Sequence, residues 1–360
     1  MLESEMYKAR VIAFYLPQFH PIPENDQWWG KGFTEWTNVG KAKPLFRGHY
    51  QPRVPRDLGY YDLRLPEVRI AQARMAKEHG VEGFCYWHYW FGNGKRLLER
   101  PFNEVLKSKE PDFPFCLGWA NETWSGIWHG DDKRILVEQK YPGKVDYEAH
   151  FYEVLKAFND ERYIKVEGKP LFYIYRPALI PDISLFVDTW RFLAQKNGLN
   201  GIYFVGSCLQ FEGKNEIAAL GLDAININRL FDIRRQTKSR IQRGIEYRLF
   251  KKTNIFEYKK AMKFFISDDE KELNFFPNLY PNWDNSPRSG KRAYILTNST
   301  PELFELHIQS VLKTIIHKPY DNRIVFLKSW NEWAEGNYVE PDLKYGMAYL
   351  EKLKSNIISF

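Results

Sequence analysis

Residues 324–336 read IVFLKSWNEWAEG. Four apolar residues of strand-forming type come first, and a dense cluster of Trp, Asn and Glu follows. A short apolar run that ends abruptly in polar and aromatic side chains fits a parallel strand of a barrel, buried along its length and functional at its C-terminal tip. The same kind of run recurs upstream at residues 10–17 (RVIAFYLP), 83–91 (GFCYWHYWF), 114–121 (PFCLGWAN), 170–176 (PLFYIYR), 201–207 (GIYFVGS), 222–227 (LDAINI) and 275–283 (FFPNLYPNW). That makes eight runs, the number a (β/α)8 barrel needs. Helical periodicity fills several gaps: residues 66–78, residues 146–158, residues 184–197 with Ser184 as cap and Gly198 as stop, and residues 301–316 behind a Thr300 cap. Strands alternating with helices predict an α/β fold, here a TIM-type barrel with long loops at its C-terminal face. Residues 1–360 are expected to form a single catalytic domain, with loop insertions at about 18–61 and 231–272.

The composition narrows the chemistry. The 12 Trp, 22 Tyr and 26 Phe exceed what an aliphatic core needs. Trp and Tyr offer a flat apolar face with a polar edge, which suits a pyranose ring, although an aromatic-rich core would use them too. The formal charge of +7 is concentrated in one segment. Residues 234–263 hold 11 Lys/Arg against Glu246 and Glu257, and the remainder of the chain is slightly acidic. Such a segment can meet a lipid-linked or acidic glycan, or be a solvated helical insertion. An acidic remainder argues against a nucleic-acid partner. Cys85, Cys116 and Cys208 lie singly in apolar runs and read as reduced, buried thiols. The histidines lack metal-ligand spacing, so neither a metal nor another cofactor is expected. The start, MLESEMYKAR, lacks a signal-peptide core, and no apolar run reaches transmembrane length. A cytoplasmic location is the expectation.

Barrel active sites gather at strand C-termini. The candidate sugar contacts there are Tyr15, Gln18 and His20 after the first strand and Trp87 and His88 in the second. Asn121, Glu122 and Trp124 follow the third, and Tyr175 the fourth. Asp284, beside Asn285, follows the seventh, and Trp330, Asn331 and Tyr338 surround the eighth. In the first insertion, Trp28, Trp29 and Trp36 are candidates for a sugar-stacking wall. Several have plain structural readings as well: His88 as a satisfied core histidine, Asn121 and Glu122 as caps, Asp284 and Asn285 as a turn. The sharpest chemistry belongs to Glu332 and Glu335. Three residues apart on a helical turn, their Cβ atoms come within about 5–6 Å. Carboxyls that close can divide labour as acid and base, as glycosidic cleavage commonly requires.

Long motifs carry a resemblance. AFYLPQFHPIPENDQWWGKGFTEWTNV, GFCYWHYWF, WANETW, PNWDNSPR and SWNEWAEGNYVEPD resemble the WbsX-type proteins of bacterial polysaccharide loci, over about residues 10–350. These are similar to glycoside hydrolase family 99, the endo-α-mannosidases, which are (β/α)8 barrels with a WNEWHEG-like stretch after the last strand. Here Ala334 stands at the histidine position. The resemblance implies a retaining mechanism without an enzyme nucleophile. Glu332 would act as base on the substrate's own 2-hydroxyl, whose oxygen would form a 1,2-anhydro sugar. Glu335 would protonate the leaving oxygen and then activate water. Mannose as the substrate does not follow.

Two other readings stand beside this one. The first is a glycosyltransferase of O-antigen, lipopolysaccharide or capsule synthesis, although the Asp-x-Asp of metal-dependent nucleotide-sugar enzymes does not occur. A non-catalytic carbohydrate-binding barrel would keep the tryptophans and make the Glu pair dispensable.

Overall fold

The computed structural model describes residues 6–126, 131–209, 213–233 and 254–359. Most of the basic segment, residues 234–253, therefore lies outside the described residues.

Eight parallel strands close on themselves. They are β1 (Arg10–Tyr15), β2 (Gly83–Trp90), β3 (Phe115–Trp119), β4 (Lys169–Ile174), β5 (Tyr203–Cys208), β6 (Ala224–Ile227), β7 (in two pieces, Phe275–Phe276 and Asn278–Leu279) and β8 (Ile324–Leu327). Each pairs with its neighbour in chain order, and β8 pairs with β1 through Ile12↔Phe326 and Ala13↔Leu327. The split in β7 has a simple cause. Pro277 has no N–H for the ladder, so Phe275–Phe276 pairs with β6 and Asn278–Leu279 pairs with β8. All eight expected runs are strands. Their near-continuous apolar character follows from burial on both faces: β1, β3, β5, β6 and β8 are buried at every position.

The helices that matter for the site are α1 (Pro23–Trp29), α2 (Glu35–Lys41), α3 (Pro66–Glu78), α4 (Arg100–Ser108), α5 (Lys144–Phe158), α6 (Ile183–Lys196), α7 (Ser286–Ser289) and α8 (Pro301–Ile315). Thr300 caps α8 through a bond from the Leu303 N–H to its side chain, as the sequence suggests. The α6 cap differs: Asp182 holds that position and Ser184 lies inside the helix. Asp182 gives its carboxylate to the Tyr147 hydroxyl instead.

Alternation along each strand divides the aromatics into two layers. Inward-facing Phe14, Trp87, Tyr173 and Phe326 plug the barrel, with Phe14 stacked 4.6 Å from Trp87 and 5.3 Å from Phe326. Between barrel and helices, Trp190 of α6 packs on Phe172 at 4.6 Å and Phe186 at 4.7 Å. Cys85, Cys116 and Cys208 are buried, as expected. Among the described residues, no helix is long and apolar enough to cross a membrane.

Candidate active site

A cavity of about 490 Å³ opens above the aromatic plug, at the C-terminal ends of the strands. Its size lies in the range of small-molecule sites. Glu332 and Glu335 line it. They sit where β8 gives way to a short hairpin (Asn331–Glu332 with Asn337–Tyr338) around a 3-10 turn, Trp333–Glu335. Gly336 ends the turn at φ 58°, a left-handed conformation that favours glycine. A Cβ there would also meet Arg53 Cζ and Asp284 Cβ at 2.9 Å, so no other residue fits without displacement.

The turn is fastened from behind. The Asp284 N–H donates to the Glu335 carbonyl at 2.6 Å, and Arg53 Nη1 donates to the Gly336 carbonyl at 3.1 Å. The Leu16 N–H donates to Asn331 Oδ1 at 2.8 Å, and Asn331 Nδ2 donates to the Leu16 carbonyl at 3.1 Å. The Asp284 carboxylate is itself held in place. His49 Nε2 lies 2.8 Å from Oδ2, Gln51 Nε2 donates to the same oxygen at 2.7 Å, and the Ser286 N–H donates to Oδ1 at 3.1 Å. Burial pushes Asp284 up, but His49, Arg53 and Ser286 more than offset it and hold the group at about 2.

At the front of the turn the electrostatics are different. Arg288 of α7 reaches Glu335 Oε1 at 2.6 Å and Glu332 Oε1 at 3.7 Å with the same Nη1. Its other side holds Glu35 of α2 at 3.1 Å. One guanidinium thus serves three carboxyls. Burial raises Glu332 to about 8, with the charge of Glu335 adding to it, and Arg288 and Lys328 offset only part of the shift. Burial also raises Glu335, opposed chiefly by Arg288. Arg288 itself is raised: burial lowers it, but Glu35, Glu335 and Glu332 outweigh that. Lys328, at the C-terminal end of β8, reaches the cavity floor and is lowered by burial.

The structure divides the remaining candidates. Gln18, Trp87, Glu122, Trp124 and Tyr175 line the cavity with the Glu pair, and Trp29 joins them from α1. Glu122 forms an ion pair with Arg176. Tyr15, His20, Trp36, His88, Asn121, Asp284, Trp330, Asn331 and Tyr338 stand behind the wall, and the side chains of all but Trp330 hydrogen-bond to protein. The Tyr15 hydroxyl donates to Gln72 of α3 at 2.6 Å. His20 Nδ1 lies 2.9 Å from the Pro17 carbonyl, and Trp36 Nε1 donates to the Tyr61 carbonyl at 2.7 Å. His88 Nε2 meets His150 Nε2 at 2.9 Å on the outer face of β2, close to its reading as a core histidine. Asn121 Nδ2 donates to the Arg176 carbonyl at 2.8 Å. Trp330 is fully buried, and Tyr338 stacks on Trp333 at 3.8 Å with its hydroxyl on Asp342. Trp28 packs edge-on against Trp124 at 6.1 Å. Sequence reasoning did not single out Glu35, Arg288 or Lys328. The signal was present for each: Glu35 and Arg288 lie within the FTEWTNV and PNWDNSPR motifs, and Lys328 is a charge at the end of an apolar strand.

Comparison with known proteins agrees with this architecture. Two proteins called "Uncharacterized protein WxcX", from two strains of Xanthomonas campestris pv. campestris, are 36% identical over 351 residues. The match takes in 96% of this chain and 49% of theirs, so the chain spans about half the length of these curated relatives. Among solved structures, a "Glycoside hydrolase-like protein" superposes with a TM-score of 0.65 at 17% identity, covering 100% of this chain and 96% of the other. The GH99 endo-alpha-mannosidase of Bacteroides thetaiotaomicron superposes at 0.57 and 15% identity, covering 96% of this chain and 95% of its own. At that identity the likeness establishes the fold, a TIM barrel. The family model described as "Glycosyltransferase WbsX" matches residues 11–353, and the chain belongs to that family.

Proposed function

We propose that this chain breaks or remakes a glycosidic bond in a bacterial polysaccharide, with Glu332 and Glu335 as its working pair. The observation that carries the reading is the single guanidinium nitrogen of Arg288 shared by both carboxyls, on a cavity wall where burial raises both. Such a pair holds one proton between its members near neutral pH. Departure of a sugar oxygen needs one acid and one base.

The finer reading is retention through the substrate's 2-hydroxyl. Glu332 accepts the 2-hydroxyl proton as that oxygen bonds to the anomeric carbon. The bond to the leaving oxygen breaks, and that oxygen takes the proton of Glu335. Water, deprotonated by Glu335, then opens the 1,2-anhydro ring, and Glu332 returns its proton to the 2-oxygen. This order needs the proton on Glu335 at the start, whereas in the free site Arg288 favours ionised Glu335. Arrival of the sugar must therefore move the proton between the two.

Transfer differs from hydrolysis only in the acceptor, a sugar hydroxyl in place of water. The family's description, a glycosyltransferase, favours that second reading, and O-antigen or capsule synthesis is the place we propose for it. The test is product formation on bacterial and mannan-type oligosaccharides, followed by mass spectrometry without a nucleotide sugar. Cleavage by the wild type and its loss in Glu335→Gln is the expected result. Product only when nucleotide-sugar donors and lipid-linked acceptors are supplied would move the protein to synthesis. Turnover unchanged in both Glu332→Gln and Glu335→Gln would overturn the assignment of the pair.

A further inference from the structure

Lys328 has an unusual setting. It is only 5% exposed, yet it lines the cavity beside Glu332 and Glu335. Among the described residues its ammonium has neither a hydrogen-bond partner nor a carboxylate within ion-pair distance. Its close neighbours are aromatic faces: Phe14 with its centroid at 4.8 Å, Tyr175 at 5.7 Å and Trp87 at 5.9 Å. Ring faces attract a cation, but more weakly than a desolvated counter-charge would. The other charges near the site are engaged. Arg288 is spread over Glu35, Glu332 and Glu335, and Glu122 is held by Arg176. Lys328 is thus a buried cation facing a cavity, without a partner of its own.

We infer that Lys328 is a substrate-contacting residue that receives a monoanionic substituent, the carboxylate of a uronic acid, so that the glycan handled by this site is acidic. The inference rests on the reading of the cavity as a glycan site. Trp87 and Tyr175 line the same cavity and offer apolar faces for a sugar ring to stand against, which brings a group on the ring's edge to the Lys328 ammonium. One ammonium in an apolar cage balances one charge. A phosphomonoester dianion would bring a second charge toward Glu332 and Glu335, which makes a carboxylate the better match. A sulfate ester is the other monoanionic source, and the test separates the two.

The experiment measures binding by titration calorimetry to Glu335→Gln, which keeps bound glycans from being cleaved. The probes are oligosaccharides containing glucuronate or galacturonate, the same oligosaccharides with each carboxyl reduced to a primary alcohol, and sulfated neutral analogues. The acidic forms are expected to bind roughly tenfold to a hundredfold more tightly than the reduced forms, the size of one charge-assisted contact. The same comparison is then made with Lys328→Met added, which keeps the chain length and removes the charge. The advantage of the acidic form should vanish there, with binding of the reduced form little changed. Because acid and reduced forms are first compared with Lys328 in place, the result does not depend on the second variant folding. Equal binding of the two forms, an acidic advantage that survives Lys328→Met, or a preference for the sulfate ester overturns the inference. Cleavage or binding of neutral glycans alone overturns it and leaves the proposed function standing. Failure of every glycan to bind removes both.

Discussion

Two carboxylate sites lie on opposite sides of the turn that follows β8, and burial has opposite outcomes in them. Behind the turn, Asp284 is buried among His49, Gln51, Arg53 and the Ser286 N–H, and it is held at about 2. In front, Glu332 is also desolvated, although 14% of its side chain stays open to the cavity; it shares Arg288 with two other carboxyls and is raised to about 8. Desolvation acts on both. What separates them is the number of dedicated partners. The rear site spends its polar groups on one fixed charge and makes a rigid support. The front site leaves charge under-compensated, which a structural site avoids and a catalytic one uses.

The largest expected effect comes from the front. Glu335→Gln keeps the shape of the turn and removes the ionisable group, so turnover of a cleavable glycan should fall by about 10²–10⁴. Circular dichroism and thermal melting should be close to the wild type. A loss of turnover no greater than the loss of folded protein would mean that Glu335, like Asp284, is a support. Glycosyl fluorides sharpen the division of roles, since fluoride needs little help from an acid. The variant lacking the acid should regain fluoride release in the first turnover, while the later opening by water stays slow, and the variant lacking the base should not regain it.

The rear should break in the opposite way. Asp284→Asn leaves Arg53 buried without its charge partner and should cost about 3–5 kcal/mol of stability. Urea unfolding measures it, and a cost below 1 kcal/mol would show that the support does not depend on charge. The pH dependences should also oppose each other. Asp284 falls from 3.8 to about 2 on folding, so its stabilisation is present above pH 4 and is lost as pH drops toward 2. Glu332 rises from 4.5 to about 8, so the fold is most favoured below 4.5 and loses that contribution as pH climbs toward 8. Glu332→Gln should therefore raise the melting temperature at pH 8 more than at pH 5, and Asp284→Asn should flatten the acid limb. Parallel curves for the two variants would remove the contrast.

The joint between the two regions is Gly336. Gly336→Ala places a side chain at φ 58° and into Arg53 and Asp284 at once. The backbone term alone is about 1–2 kcal/mol. Turnover should fall by more than that stability loss explains, because Glu335 is carried on the displaced turn. An Ala variant as active as the wild type would show that the turn relaxes without moving the carboxyl.

The same alternation that made the fold legible hid part of the site. Parallel strands buried on both faces leave apolar runs that are hard to mistake, and all eight could be read, even the seventh, which Pro277 divides. Being at a strand's end, however, does not say which way a side chain points. On β2, Trp87 turns in to stack on Phe14, and the next residue, His88, turns out to His150. On β1, Phe14 turns in and Tyr15 out to Gln72. A list of strand-end polar residues therefore mixes wall and backing. The Glu pair was legible because both members lie on one local turn. Glu35 and Arg288 lie within the quoted motifs, but their pairing was not legible, because it joins α2 to α7 across 253 positions.

The smallest effect should come from a third carboxylate, which tests whether pairing alone explains the contrast. Glu122 is paired with Arg176, as Asp284 is with its partners, but its side chain is 39% exposed at the cavity wall. Water screens an ion pair so placed, and Glu122→Gln should cost no more than about 1 kcal/mol, less at high salt. If it costs as much as Asp284→Asn, burial is not what makes the rear site rigid. A change in glycan affinity well beyond that stability cost would place Glu122 in contact with the sugar, because loosening an exposed ion pair has no other route to so large an effect on binding.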